Sequence, residues 1–426
     1  MVKKSNLYYY GVAFYGFILM FLMYTIVKSL HSLFLVPVTE DLGMERSAFS
    51  LVFTITGLAL AAALPVVTRL LKRYPAKWII LVCIVMTAGG FAAFSLAGTI
   101  WQFYLLALIV GCGTAGCTNM VVSLLINNWF ASGRASVLGL AMTGSGFGVA
   151  VLSPVLTFIL ESFSWQTAYL FSGLLMGAVC LPMTFLFACQ RPAERGMEPY
   201  RGNSGMKVQS SAARTSKAED TTGPSLEEIR GKAFFWVYLG AMFFWCVAIG
   251  GGHQHLAAYL TDLGHSAGFV SLVYSVEAFC IVGGKLVVGP VFDKKGTRAG
   301  ALFLIVSFAI AMICLLLAEQ PVLAIAFAVF YGGGSIFTTV GIPNLASGFF
   351  GQRNYADILS MTNVAYVIGA AVGPYISGKV FDITGSYQPI FAIYFALFLA
   401  SAIVTLYLQS YLNKRYRDEW FGSVMQ

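Results

Sequence analysis

The chain has 426 residues, 58% hydrophobic and only 10% charged, with a mean hydropathy of +0.79. Soluble domains carry about 25% charged residues, so this composition excludes them and points to an all-α polytopic membrane protein. The net charge of +8 is no nucleic-acid signature, because the basic residues are confined to particular loops.

MVKKSN leads straight into a full-length apolar stretch, without the short apolar core and cleavage site of a signal peptide, so it reads as retained. Twelve stretches are long enough to cross as helices: 8–35, 48–71, 78–97, 101–127, 135–160, 166–189, 233–260, 269–292, 299–317, 322–348, 356–381 and 387–410. This predicts a six-helix bundle over 1–189, a polar linker over 190–232, a second six-helix bundle over 233–410 and a tail over 411–426. Within the linker's end, SLEEIRGKAFF at 225–235 suits a short interfacial helix. With the N-terminus inside, 22 of the 26 Lys and Arg residues fall in cytoplasmic segments and two outside, Arg46 and Lys379. That bias puts both termini and the linker in the cytoplasm of a multi-pass cell-membrane protein.

The remaining two cations, Lys28 and Lys285, lie within apolar stretches. An unpaired ammonium in hydrocarbon costs about 2.5 kcal/mol or more, so such a residue normally faces protein or a water-filled cavity. On an α-helix Lys28 shares one polar stripe with Tyr24, His31 and Ser32. Glu277 is a third intramembrane charge. All eight cysteines sit in apolar segments without a CxxC pair and read as small buried hydrophobes. GGGHQHL at 250–256 suits an unwound seventh span whose His253 lines a pathway. On a helix His253 and His255 point about 200° apart and cannot share a metal ion.

The chain repeats itself. Asp41-Leu42-Gly43 and Ser50-Leu51-Val52 recur at Asp262-Leu263-Gly264 and Ser271-Leu272-Val273, 221 residues on. Phe130 and Pro154 recur as Phe350 and Pro374, and SWQ at 164–166 as SYQ at 386–388, at offsets of 220 and 222. Six spans followed by six in the same orientation is the parallel repeat of the major facilitator architecture. At the 221 offset Lys28, Glu277 and Lys285 map to Ile249, Thr56 and Leu64, so the scaffold is duplicated and the charges are not. Asymmetric charges on a duplicated scaffold read as a site between the halves.

GPVFDKKGTR at 289–298 resembles the major facilitator signature, with Gly289, Asp293 and Gly296 in place and Arg298 one residue beyond the final basic position; RLLKRYPAK at 69–77 is its degenerate first-half counterpart. NNWFASGRASVLGLAMTGSGFGVAVLSP at 127–154, with Asn128, Trp129, Phe130, Arg134 and Gly139 through Ser145, resembles the monocarboxylate transporter family and the related oxalate/formate antiporters. Gly144 and Gly148, like Gly369 and Gly373, form GxxxG faces for close helix approach.

The resemblance implies roles. Lys28-Ser29 is similar to the Lys-Ser of the monocarboxylate transporters, whose lysine takes part in anion translocation. Lys285 stands where that family and the oxalate antiporters carry an arginine for substrate carboxylate. Where the animal transporters have an aspartate one turn earlier, this chain has Ile281, and residues 356–378 of the eleventh span hold no counterpart of the oxalate antiporter's lysine.

The expected function is therefore alternating-access transport of a small monocarboxylate such as lactate, pyruvate or formate, coupled to protons through Glu277 or a histidine. Lys28 and Lys285 would bind the anion, with Tyr24, His31, His253 and Asn119 shaping the site. Exchange of one carboxylate for another is the alternative, followed by a lipophilic-cation exporter or a non-transporting sensor. No Walker loop, nucleophile triad or metal-spaced cluster suggests an enzyme, a cofactor or a metal. The expected partners are the carboxylate, protons or a counter-anion, and the lipid bilayer, with the chain acting as a monomer.

Overall fold

The apolar stretches do form helices. The computed structural model describes residues 2–130, 134–189, 192–200, 224–351 and 353–416, and among them twelve helices are long and apolar enough to cross a bilayer. The first six spans are Tyr8–Ser29, Arg46–Leu71, Ala76–Leu96, Ile100–Trp129, Val137–Ser162 and Trp165–Phe187. The second six are Ala233–Gln254, Ala267–Phe292, Lys294–Leu316, Pro321–Thr338, Asp357–Thr384 and Gln388–Arg415. They fall into two units, Met1–Arg214 and Thr215–Gln426. Large apolar side chains such as Val82, Leu105, Phe158, Leu174 and Val306 stay exposed, as surfaces facing lipid do.

Lipid offers no hydrophobic drive for helices to associate, so packing depends on close backbone approach and hydrogen bonds. In the first unit a Cβ on Gly144 or Gly148 of the fifth span would strike the carbonyl oxygens of Phe17 and Phe21 in the first. In the second unit a Cβ on Gly369 or Gly373 of the eleventh span would lie 2.5 Å from those of Phe243 and Val247 in the seventh. The same crossing is thus built twice. Its glycines are 225 residues apart and its carbonyls 226, about one helical turn beyond the sequence offset of 220–222.

The repeated DLG and SWQ words also acquire a physical reason. Gly43 and Gly264 end their helices at φ +61° and +86°, a left-handed conformation that a side chain would strain. In the first unit Trp165 Nε1 donates to Asp41 Oδ2 at 2.7 Å, tying the short helix Leu35–Leu42 after the first span to the start of the sixth.

Of the linker, residues 201–223 lie outside the described residues, as does most of the tail, 417–426. Its start is held against the first unit, where Tyr200 N donates to Trp129 O at 2.9 Å. Its end forms the helix Leu226–Arg230, closed by a reciprocal cap between Ser225 and Glu228.

Candidate functional site

Lys28, His31, His253, His255 and Asn119 lie at or beside breaks in the helices that carry them, whereas Glu277 and Lys285 sit within a continuous helical stretch. The first span is α-helical to Leu19, a π-helix over Met20–Ser29, and then breaks at Leu30 into the 3-10 turn His31–Phe34. The Thr25 hydroxyl lies 3.1 Å from both Met20 O and Ser145 O, so the span is wedged open where Gly148 approaches it. This geometry splits the polar stripe that α-helical spacing predicts. Lys28 is half-buried with its ammonium toward the second span, where a Cβ on Gly57 would lie 3.9 Å from Nζ. Tyr24 is half-buried one turn earlier.

His31 goes elsewhere. Only 1% exposed, it is ringed by Phe34, Phe49, Phe53, Phe91 and Phe94, with Nε2 3.0 Å from the Tyr169 hydroxyl. An imidazole enclosed in this way has no face open to a substrate.

In the second unit the seventh span stays helical through Gly250–Gly252 and breaks at His255. Gly250 and Gly251 serve packing, not unwinding: a Cβ on Gly250 would meet the Ala370 backbone, and one on Gly251 the Tyr394 ring. The two histidines diverge. His255 is fully buried between the Tyr387 hydroxyl at 2.9 Å and the Pro374 carbonyl at 2.8 Å. His253, two residues earlier, places Nε2 3.0 Å from Glu277 Oε1.

Glu277 lies beside His253, which in turn packs against Tyr274 and Tyr331. Glu277 is 3% exposed, and its Oε2 is buried with no partner among the described residues. The His253 ring stacks on Tyr331 at 5.5 Å and meets Tyr274 edge-on at 5.6 Å. Tyr331 reaches it because Gly332 packs directly on the backbone of Cys280 and Ile281, bringing the tenth span against the eighth. An isolated buried carboxylate is costly, and an imidazole sharing a proton with it reduces that cost. Neither Tyr331 nor Tyr274 stands out in sequence, since aromatics are frequent in every span.

Lys285 lies eight residues further along the same helix, roughly 12 Å from Glu277. It is half-buried and makes no hydrogen bond, ion pair or ring contact with the described residues.

A register between the units emerges from the breaks. Leu30 has φ −101° and ψ −5°, and His255 has φ −104° and ψ 4°. Aligning them sets Lys28 opposite His253, each two residues before its break, and replaces the pairing of Lys28 with Ile249 taken from the sequence offset. The fourth span is also discontinuous, ending one helix at Thr114 and starting another at Asn119, whose side chain is exposed. The tenth breaks after Gly334 and resumes at Gly341.

In the GPVFDKKGTR motif Gly296 turns the chain at φ +79°, Gly289 is half-buried and Arg298 exposed. The side chains of Asp293 and Arg134 lie outside the described residues. Among those described, no group of three or more His, Cys, Asp or Glu could hold a metal ion.

The chain resembles known proteins along almost all of its length. Monocarboxylate transporter 11 of Mus musculus is 27% identical over 379 residues, 84% of this chain and 79% of that protein. Monocarboxylate transporter 2 of Homo sapiens is 22% identical over 363 residues, 80% of this chain and 72% of that protein. The crystal structure of the nucleoside transporter NupG superposes with a TM-score of 0.69 at 14% identity, covering 94% of this chain and 98% of NupG. A bacterial homolog of the human lysosomal transporter Spinster superposes at 0.60 and 16% identity, covering 96% of each chain. At such identities the two structures speak for the fold alone. The sequence matches the Major Facilitator Superfamily over residues 16–374 and 256–421. With twelve spans in two units and one helix crossing built twice, the chain belongs to the major facilitator superfamily.

Proposed function

We propose that the protein transports a small monocarboxylate across the cell membrane by alternating access, coupled to protons. The observation that carries this reading is Lys285, a half-buried ammonium in an apolar span with no protein partner among the described residues. A cation so placed needs charge-assisted hydrogen bonds from water or a carboxylate. A small carboxylate fits that need, and the relatives that carry the name monocarboxylate transporter support the choice. Lys28 is the second cation, with Tyr24 as a hydroxyl donor one turn away and Asn119 as an exposed amide at the break in the fourth span. His31, enclosed by aromatics, takes no part in binding. The Glu277–His253 pair is the coupling group, accepting one proton where the family's aspartate is replaced by Ile281.

The test is the affinity of the purified protein for lactate, formate and oxalate. Lys285→Gln removes the charge-assisted part of a hydrogen bond, ~1.5–3 kcal/mol, and weakens binding by about one to two decades. Lys285→Arg keeps the charge and retains part of the affinity. Equal affinities for wild type and both monodisperse variants would remove Lys285 from the site.

A further inference from the structure

We infer that His31 and His255 are matched positioning residues, each anchoring the break in the first helix of its own unit to a tyrosine at the sixth and so aiming the functional side chain just upstream. The two joints are alike in geometry. The breaks share their backbone dihedrals within 10°, each has one buried histidine, and each histidine meets one buried tyrosine hydroxyl at 2.9–3.0 Å. They are unlike in residue register. His31 follows its break while His255 occupies it, and Tyr169 lies within the sixth span while Tyr387 immediately precedes the twelfth. The same connection is therefore built from different positions, a recurrence that copying of a sequence block does not account for.

Each ring is fixed by its surroundings. His255 Nε2 must donate to the Pro374 carbonyl, which can only accept, so in the neutral ring Nδ1 accepts from Tyr387. His31 has one such bond and is held otherwise by aromatic walls, with Phe53 and Phe91 at centroid distances of 5.1 Å. Upstream of each joint the helix is a rigid lever. Slipping the break by one residue would rotate every side chain before it about the helix axis, by about 100° where the helix is α. Two residues before the break in one unit is Lys28, and in the other His253, bonded to Glu277.

The consequence for transport rests on the proposed carboxylate reading, but the joints can be tested without it. Tyr169→Phe and Tyr387→Phe each keep the ring and delete the hydroxyl. Amide hydrogen exchange of the purified variants should accelerate around residues 25–34 in the first and 250–259 in the second. In function the two should differ. Tyr169→Phe, acting through Lys28, weakens carboxylate affinity about three- to tenfold and leaves the ratio of pH-driven uptake to exchange unchanged. Tyr387→Phe, acting through His253, lowers that ratio and leaves affinity unchanged. Unaltered amide exchange in both variants overturns the inference. So does faster exchange with wild-type affinity and coupling, since the joints would then brace the helices without aiming anything. A wild type that binds no carboxylate defeats the transport reading instead, and the exchange data still decide whether the joints hold.

Discussion

Glu277 has one carboxylate oxygen bonded to His253 and the other buried without a partner among the described residues, an arrangement suited to a group that takes up and gives up a proton. Glu277→Gln fixes the neutral form. Exchange of labelled for unlabelled carboxylate should continue in that variant, because the carrier can still cross loaded, while accumulation driven by a pH gradient should disappear. Wild-type pH-driven uptake by Glu277→Gln would take this residue out of the coupling step. Glu277 and Lys285 were legible in the sequence because a charge in an apolar run is conspicuous. The partnership with His253 was not, since the two lie on different helices and nothing in one chain's sequence reports which faces meet. A period of 3.6 puts His31 in a stripe with Lys28 only if the span is α-helical, and the π-helix around Thr25 removes that premise.

Helices are where the sequence spoke most clearly. All twelve spans follow from runs of about 20 apolar residues, a requirement set by bilayer thickness. Their interruptions were hidden, because the Gly, Ser and Thr that accompany a break also serve tight packing. The GxxxG faces make the packing role testable. A Cβ on Gly373 would lie 2.5 Å from the Val247 carbonyl oxygen, which cannot rotate away, whereas one on Gly139 would have nothing within 4 Å. Gly139→Ala should be neutral or stabilising by up to ~1 kcal/mol through reduced chain entropy. Gly373→Ala should instead cost about 1–3 kcal/mol as the seventh and eleventh spans are forced apart. Thermal unfolding of both variants in detergent measures the difference. Equal transition temperatures would mean that the close crossing contributes nothing to stability.

The molecule as a whole is a duplicated scaffold carrying unequal charges. Sequence words located the duplication but not its register in the first and seventh spans, where helix geometry changes without leaving a residue signature. With the breaks aligned, Lys28 and His253 occupy equivalent places and perform different tasks in the proposed mechanism, one holding the anion and the other sharing a proton with Glu277. That division of labour makes proton-coupled carboxylate transport the central claim, and flux through the intact protein tests it most directly. Purified protein would be placed in liposomes and its orientation determined by cleavage at a protease site inserted at 205–215, a segment expected on the cytoplasmic side from the distribution of Lys and Arg. Uptake of labelled lactate, formate and oxalate would then be measured with and without a proton gradient. The expected result is accumulation of a monocarboxylate above its equilibrium level only when the outside is more acidic, with the cleavage site accessible from the cytoplasmic side alone. Absence of flux for all three anions in monodisperse, correctly oriented protein, or flux indifferent to the gradient, would contradict it.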